Sequence, residues 1–226
     1  MKYKAIFSDS KGIESTEIDT KFDDAYFYPM KINGIVVETD GFEVLTIDNP
    51  EQYSENQLAR FDYDIKYPYK DKEKKLLVLK NYQLKTFIPI LVLEIKSGKE
   101  ITAEIQIIMN HNGGESVERR CSLLGKIFDL GMTLRGFGLD YAFEELQKQL
   151  AGHYCMETCA NCKKSFGNPY GGNEFFNHLC FKSEAEAFQA IVNKDKRSVG
   201  NFMKYDNDKN FQLVQLTDYC DKFEPR

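Results

Sequence analysis

The chain has 226 residues, 42% apolar and 29% charged, with a net charge of −5. That length can bury a core without disulfides, and the mild charge, with no basic stripe, argues against a nucleic-acid partner. Residues 151–226 balance ten basic against ten acidic side chains, so generic phosphate binding is not expected. The opening MKYKAIFSDS lacks the apolar region of a secretory signal. The longest apolar stretch, FIPILVLEI (87–95), is too short to span a bilayer, so no membrane partner is expected. The expected compartment is the cytoplasm, where thiols stay reduced.

In chain order, YKAIFSD places Tyr3, Ala5 and Phe7 on alternate positions. The turn-forming DSKG and then IESTEID complete a hairpin. NGIVVETDG supplies further turn chemistry. FDYDIKY (61–67) puts Phe61, Tyr63, Ile65 and Tyr67 on one face, with Asp62, Asp64 and Lys66 on the other. Period two with one wet face predicts antiparallel pairing, and that wet face accounts for the two aspartates. KDKEKK (70–75) reads as a charged loop tip. FIPILVLEIK is apolar on both faces and so belongs inside a sandwich, with Pro89 marking a strand start, an edge or a bulge. ITAEIQI returns to alternation, and HNGG is a turn. No helical period is visible before residue 138.

The pattern then changes. GLDYAFEELQKQLAG (138–152) predicts a helix capped by Asp140, with Glu144 and Glu145 near its positive end. Leu139, Phe143, Leu146 and Leu150 form its buried stripe, and Gly152 ends it in the left-handed region. SEAEAFQAIVNK predicts a second helix, in which Ser183 and Glu186 form a capping box and Phe188, Ile191 and Val192 face inward. NFQLVQL (210–216) reads as a strand. The fold class expected is α+β: an antiparallel β-sandwich-like domain over 1–137, then a small α+β unit over 138–226.

That second unit carries the cysteines. Cys159 and Cys162 stand as C-x-x-C, a spacing that lets both sulfurs face one ion and forms half of a structural zinc site. Cys180 follows after 17 residues and Cys220 after 39 more. Cys155, His153 and His178 are reserve ligands. A bond to Cys180, just before the second predicted helix, would fix where that helix begins. A bond to Cys220, in TDYCDKFEPR, would pin the final strand. Structural zinc in small peptides contributes about 10–16 kcal/mol of apparent binding free energy, more than a small core supplies.

The segment CANCKKSFGNPYGGNEFFNHLCFK carries Cys159, Cys162, Ser165, Pro169, Tyr170, Gly171, Cys180, Phe181 and Lys182. Cys220 then precedes Phe223, Pro225 and Arg226. This pattern resembles the signature of a functionally uncharacterised bacterial family, across about 139–226; the β half resembles it only loosely. Thr158 before Cys159, and Phe166 with Gly167, depart from it. The resemblance implies a cysteine-rich, zinc-bound carboxyl-terminal region and no known activity.

Other chemistry fits less well. Cys155-x3-Cys159-x2-Cys162 matches the iron–sulfur spacing of radical enzymes, but those sit early in a barrel and carry an aromatic where this chain has Asn161. A thioredoxin-like role would need the C-x-x-C to open a helix after a strand. His111 reads as a polar turn residue, His153 as a helix-end cation, and Glu174 has nothing to place it near an ion. Tyr170 reads as cover for the metal site, or else as part of a recognition loop. Cys121 reads as a small buried hydrophobe. The sequence thus predicts a structural four-cysteine zinc site, Cys159, Cys162, Cys180 and Cys220. The protein around it is expected to be a binding or interaction protein rather than an enzyme, with a protein as candidate partner. The alternative is a hydrolase with its active site in or beside the β domain.

Overall fold

A computed structural model describes residues 2–20, 28–39, 44–67, 74–113, 117–132, 139–163, 165–167, 178–180, 212–214, 218, 223 and 225. Of these, 129–132, 140, 166–167, 178–179 and 212–214 are described by backbone alone. The second predicted helix, the NPYGG turn with Tyr170, most of KDKEKK, Glu174 and Cys220 lie outside the described residues. The fold is mostly antiparallel β sheet, divided into two compact units, residues 1–89 with 104–138 and residues 90–103 with 139–226.

In the first unit, β1 (Lys2–Asp9) and β2 (Gly12–Asp19) form the expected hairpin, Asp9 opposite Gly12. β3 (Tyr28–Ile32) and β4 (Ile35–Thr39) turn through Asn33 and Gly34, both with positive φ, as a two-residue Asn-Gly turn requires. β5 (Leu45–Asp48) follows. The short helix α1 (Glu55–Leu58) has no counterpart in the sequence reading, since four residues cannot show a helical period. Its signal was the box Ser54-x-x-Gln57, whose side chains cap each other's backbone.

β6 (Asp62–Lys66) and β7 (Leu76–Lys80) complete a sheet of order β3-β4-β5-β7-β6. The long strands β8 (Tyr82–Glu94) and β9 (Lys99–His111), with β10 (Val117–Leu123) and β11 (Lys126–Met132), form the other, of order β11-β10-β9-β8-β1-β2. Both sheets are open. Alternate residues of β1, β3, β4, β8 and β9 are buried, as period two demands. The sheets meet where the Phe7 ring packs edge-on against Phe61, 5.9 Å between centroids, with Tyr82 stacked on Phe7 at 5.8 Å. The Arg60 guanidinium lies 5.5 Å from the Phe7 centroid and pairs with Asp9.

Two sequence expectations change here. The apolar face of 61–67 is only partly covered: Phe61 is buried, but Ile65 and Tyr67 are 51% and 56% exposed. β6 is an edge strand, with β7 on one side only. Its wet face is ion-paired, Asp62 with Lys11 and Asp64 with Lys80. His111 is no surface turn residue. It ends β9, is buried, and stacks on Tyr82 at 5.6 Å. Its Nδ1 accepts a hydrogen bond from the Gly113 amide, 3.2 Å, and burial lowers its pKa.

Pro89 stands inside β8. It falls between the stretch paired with β1, ending at Phe87, and the stretch from Val92, which itself belongs to the second unit and pairs with another strand of that unit. Neither partner demands a bond from its missing amide hydrogen.

The second unit holds α2 (Leu139–Leu150), β12 (Tyr154–Met156), β13 (Ser165–Gly167), β14 (His178–Cys180) and β15 (Gln212–Val214). The predicted stripe of α2 is fully buried. Asp140 falls one residue inside the helix, not before it. Gly152 has φ +82°, the left-handed end expected. The strand expected at 210–216 is present as β15, in a three-stranded antiparallel sheet β13-β14-β15.

Candidate metal centre

The C-x-x-C turn is positioned from α2 outward. β12 pairs with the far part of β8, Cys155 opposite Leu93, and the Glu157 amide bonds Leu91 O at 2.9 Å. The other edge of β12 is capped by one side chain. Gln147 Nε2 donates to Tyr154 O at 3.0 Å, and its Oε1 accepts from the Met156 amide at 2.7 Å. A helix amide group thus supplies the donor and acceptor that a further strand would have supplied.

Beyond β12 the chain tightens. Thr158 is fully buried, and a single 3-10 turn spans Cys159–Asn161. The Asn161 backbone amide donates back to Thr158 O at 3.0 Å, and its side-chain Nδ2 donates to Thr158 Oγ1 at 3.4 Å. The Cys162 amide donates to Cys159 O at 3.3 Å. This is the tight turn that two intervening residues permit.

Three remote segments reach this turn. Cys180 of β14 and Cys159 form a buried sulfur cluster, 3% and 5% exposed, with Ser165 of β13 opposite Cys180 in the ladder. The Cys159 amide donates to Asp218 O at 2.7 Å. Cys162 forms an isolated antiparallel bridge with Pro225. The bond with Cys180, then burial, and then the nearby Cys180, Asp218 and Cys162 charges push the Cys159 thiol far up. Its preference for the proton is what a cation would have to overcome.

Among the described residues, no group of three His, Cys, Asp or Glu side chains is placed to hold a metal ion. Of the four predicted ligands, Cys159 and Cys180 are in contact, Cys162 closes the same turn, and Cys220 lies outside the described residues. None of the five described cysteines forms a disulfide. Soft sulfur donors suit zinc by donor type.

The reserve residues sit elsewhere on the frame. Cys155 is half-buried on β12, its sulfur 4.0 Å from Met156 O, and burial followed by the Glu157 charge raises its pKa. His153 is exposed beyond α2. His178 lies two positions before Cys180 on β14, its side chain outside the described residues. Cys121 is buried in β10, as read from the sequence. Gln147, Asn161 and the backbone of Asp218 and Pro225 were missed. Their roles depend on contacts no spacing encodes, although an asparagine inside a C-x-x-C turn was a usable hint.

These observations define an antiparallel β protein with a small helix-bearing unit, in which buried thiols gather at a C-x-x-C turn. The chain belongs to a family of unknown function, DUF6304, whose model matches residues 1–165. The match takes in β1 to β12 and the C-x-x-C and stops at Ser165, before Cys180 and Cys220. No curated protein and no solved structure gives a significant match. No helix among the described residues is long and apolar enough to cross a membrane.

Proposed function

We propose that this is a binding protein whose carboxyl-terminal part is stapled by one structural zinc ion on Cys159, Cys162, Cys180 and Cys220. One observation carries the reading: the chain on either side of Cys220 is bonded to the C-x-x-C turn, through Asp218 O on the Cys159 amide and Pro225 against Cys162. Cys220 stands two residues from Asp218 in sequence, a chain reach of about 7 Å at most. Contact between Cys159 and Cys180 supports the third ligand.

Zinc would take the thiols as thiolates and release their protons. Four sulfurs close a tetrahedron and leave no position for a catalytic water, which favours a structural role in a binder over hydrolysis.

Elemental analysis of protein purified without added metal tests this. About one zinc per chain is expected, lost in Cys180→Ser and Cys220→Ser and kept in Cys155→Ser and His178→Ala. No zinc in the wild type, or full retention in Cys220→Ser, overturns it.

A further inference from the structure

The edges of the two sheets of the first unit come together at β2 and β3. Thr16 Oγ1 donates to Lys31 O at 2.7 Å, and the Asn33 amide donates to Glu14 Oε1 at 2.7 Å. Beside this seam lies a groove of about 740 Å³. That volume is within the range of about 300–1,000 Å³ typical of small-molecule sites. Its apolar lining comes from Ile6 of β1, Phe87 of β8 and Val36 of β4.

The charges around it are not balanced. Three lysines, Lys2, Lys4 and Lys31, line the groove with two carboxylates, Glu17 and Asp19. Lys2 is taken by Glu17 at 3.5 Å. Lys4 sits in register between Glu17 and Phe87, and Lys31 opposite Val36. Neither Lys4 nor Lys31 has an ion-pair partner among the described residues, so two unpaired ammonium groups line the groove beside apolar surface, and its lysines outnumber its carboxylates by one.

We infer that this groove binds a small amphipathic anion, an aliphatic or aromatic body bearing one carboxylate. The body displaces water from Ile6, Val36 and Phe87, and the carboxylate takes charge-assisted hydrogen bonds from Lys4 and Lys31. A neutral amphipath gains only the first contribution, and a cationic one is repelled. This names a ligand class for the binding role proposed above. It involves no residue of the metal centre.

Calorimetric titration of the full zinc-loaded chain with monomeric sodium decanoate tests it. Decanol, decyltrimethylammonium and phosphatidylglycerol vesicles serve as comparators. One decanoate per chain is expected, tighter than decanol and with no binding of the cation. The double variant Lys4→Glu/Lys31→Glu, both exposed positions, should weaken decanoate by about tenfold or more. Val36→Trp should block the groove while the circular dichroism stays unchanged. Absence of decanoate binding, equal binding of the cation, indifference to the lysine reversals, or binding to vesicles but not monomers each overturns the inference. Zinc is measured on the same sample. Failure with one zinc per chain removes the ligand alone, and binding without zinc removes the staple alone.

Discussion

Replacing Gln147 by leucine removes both bonds that tie α2 to β12, at 3.0 Å to Tyr154 O and 2.7 Å from the Met156 amide. Leucine keeps the bulk and the helix propensity, so the change isolates the polar tie. Each net hydrogen bond is worth about 0.5–1.5 kcal/mol, which puts the loss at about 1–3 kcal/mol. The Met156 amide faces away from β8, and Gln147 is its partner, so that amide reports the tie locally. Native-state hydrogen exchange on zinc-loaded protein should show its protection falling by about tenfold to a hundredfold. Gln147→Glu keeps the acceptor for Met156 but sets a carboxylate against the Tyr154 carbonyl, and should fall between wild type and leucine. Unchanged exchange at Met156 in Gln147→Leu would show that the side chain does not hold β12, and that the C-x-x-C turn is positioned by other means.

Phe7→Ala should cost about 3–5 kcal/mol in urea unfolding followed by circular dichroism, because it empties the contact between the sheets; a loss similar to that of a surface substitution would refute the aromatic seam. His111→Phe keeps the stack on Tyr82 and removes a buried imidazole. Burial lowers the folded-state pKa of His111, so the unfolded chain takes up the proton first. Wild type should therefore lose stability relative to the variant as pH falls below about 6.5, with parallel urea midpoints at pH 7 and pH 5 speaking against it. Gly152→Ala meets open space but must hold φ +82°. It should destabilise the end of α2 by about 1–2 kcal/mol, and Gly152→Asn by less, as read from thermal unfolding.

Much of the first unit was written in period-two alternation. YKAIFSD and ITAEIQI kept their buried faces, and Asn33-Gly34 made the turn it advertises. Where reading failed, the reason was neighbourhood. Ile65 and Tyr67 alternate as well as any core strand, but edge position is set by partner strands remote in sequence. His111 sits beside Asn and Gly, which mark a turn, yet the turn begins one residue later and Tyr82 covers the ring. In the second unit the α2 stripe was legible because twelve residues display a helical period. The pairing of β12 with β8 was not, since three residues show no period at all. That Cys180 comes to the C-x-x-C turn was legible in the spacing of the cysteines. The means of convergence, through Asp218 O and Pro225, is backbone chemistry that side-chain identity does not record.

X-ray absorption at the zinc edge, on protein purified without added metal, reads the donor set itself. Four sulfurs at about 2.3 Å are expected in the wild type, and the zinc edge itself should be lost in Cys220→Ser. A wild-type spectrum with fewer than four sulfurs would contradict the staple, as would metal-free protein whose six thiols all titrate in the native state.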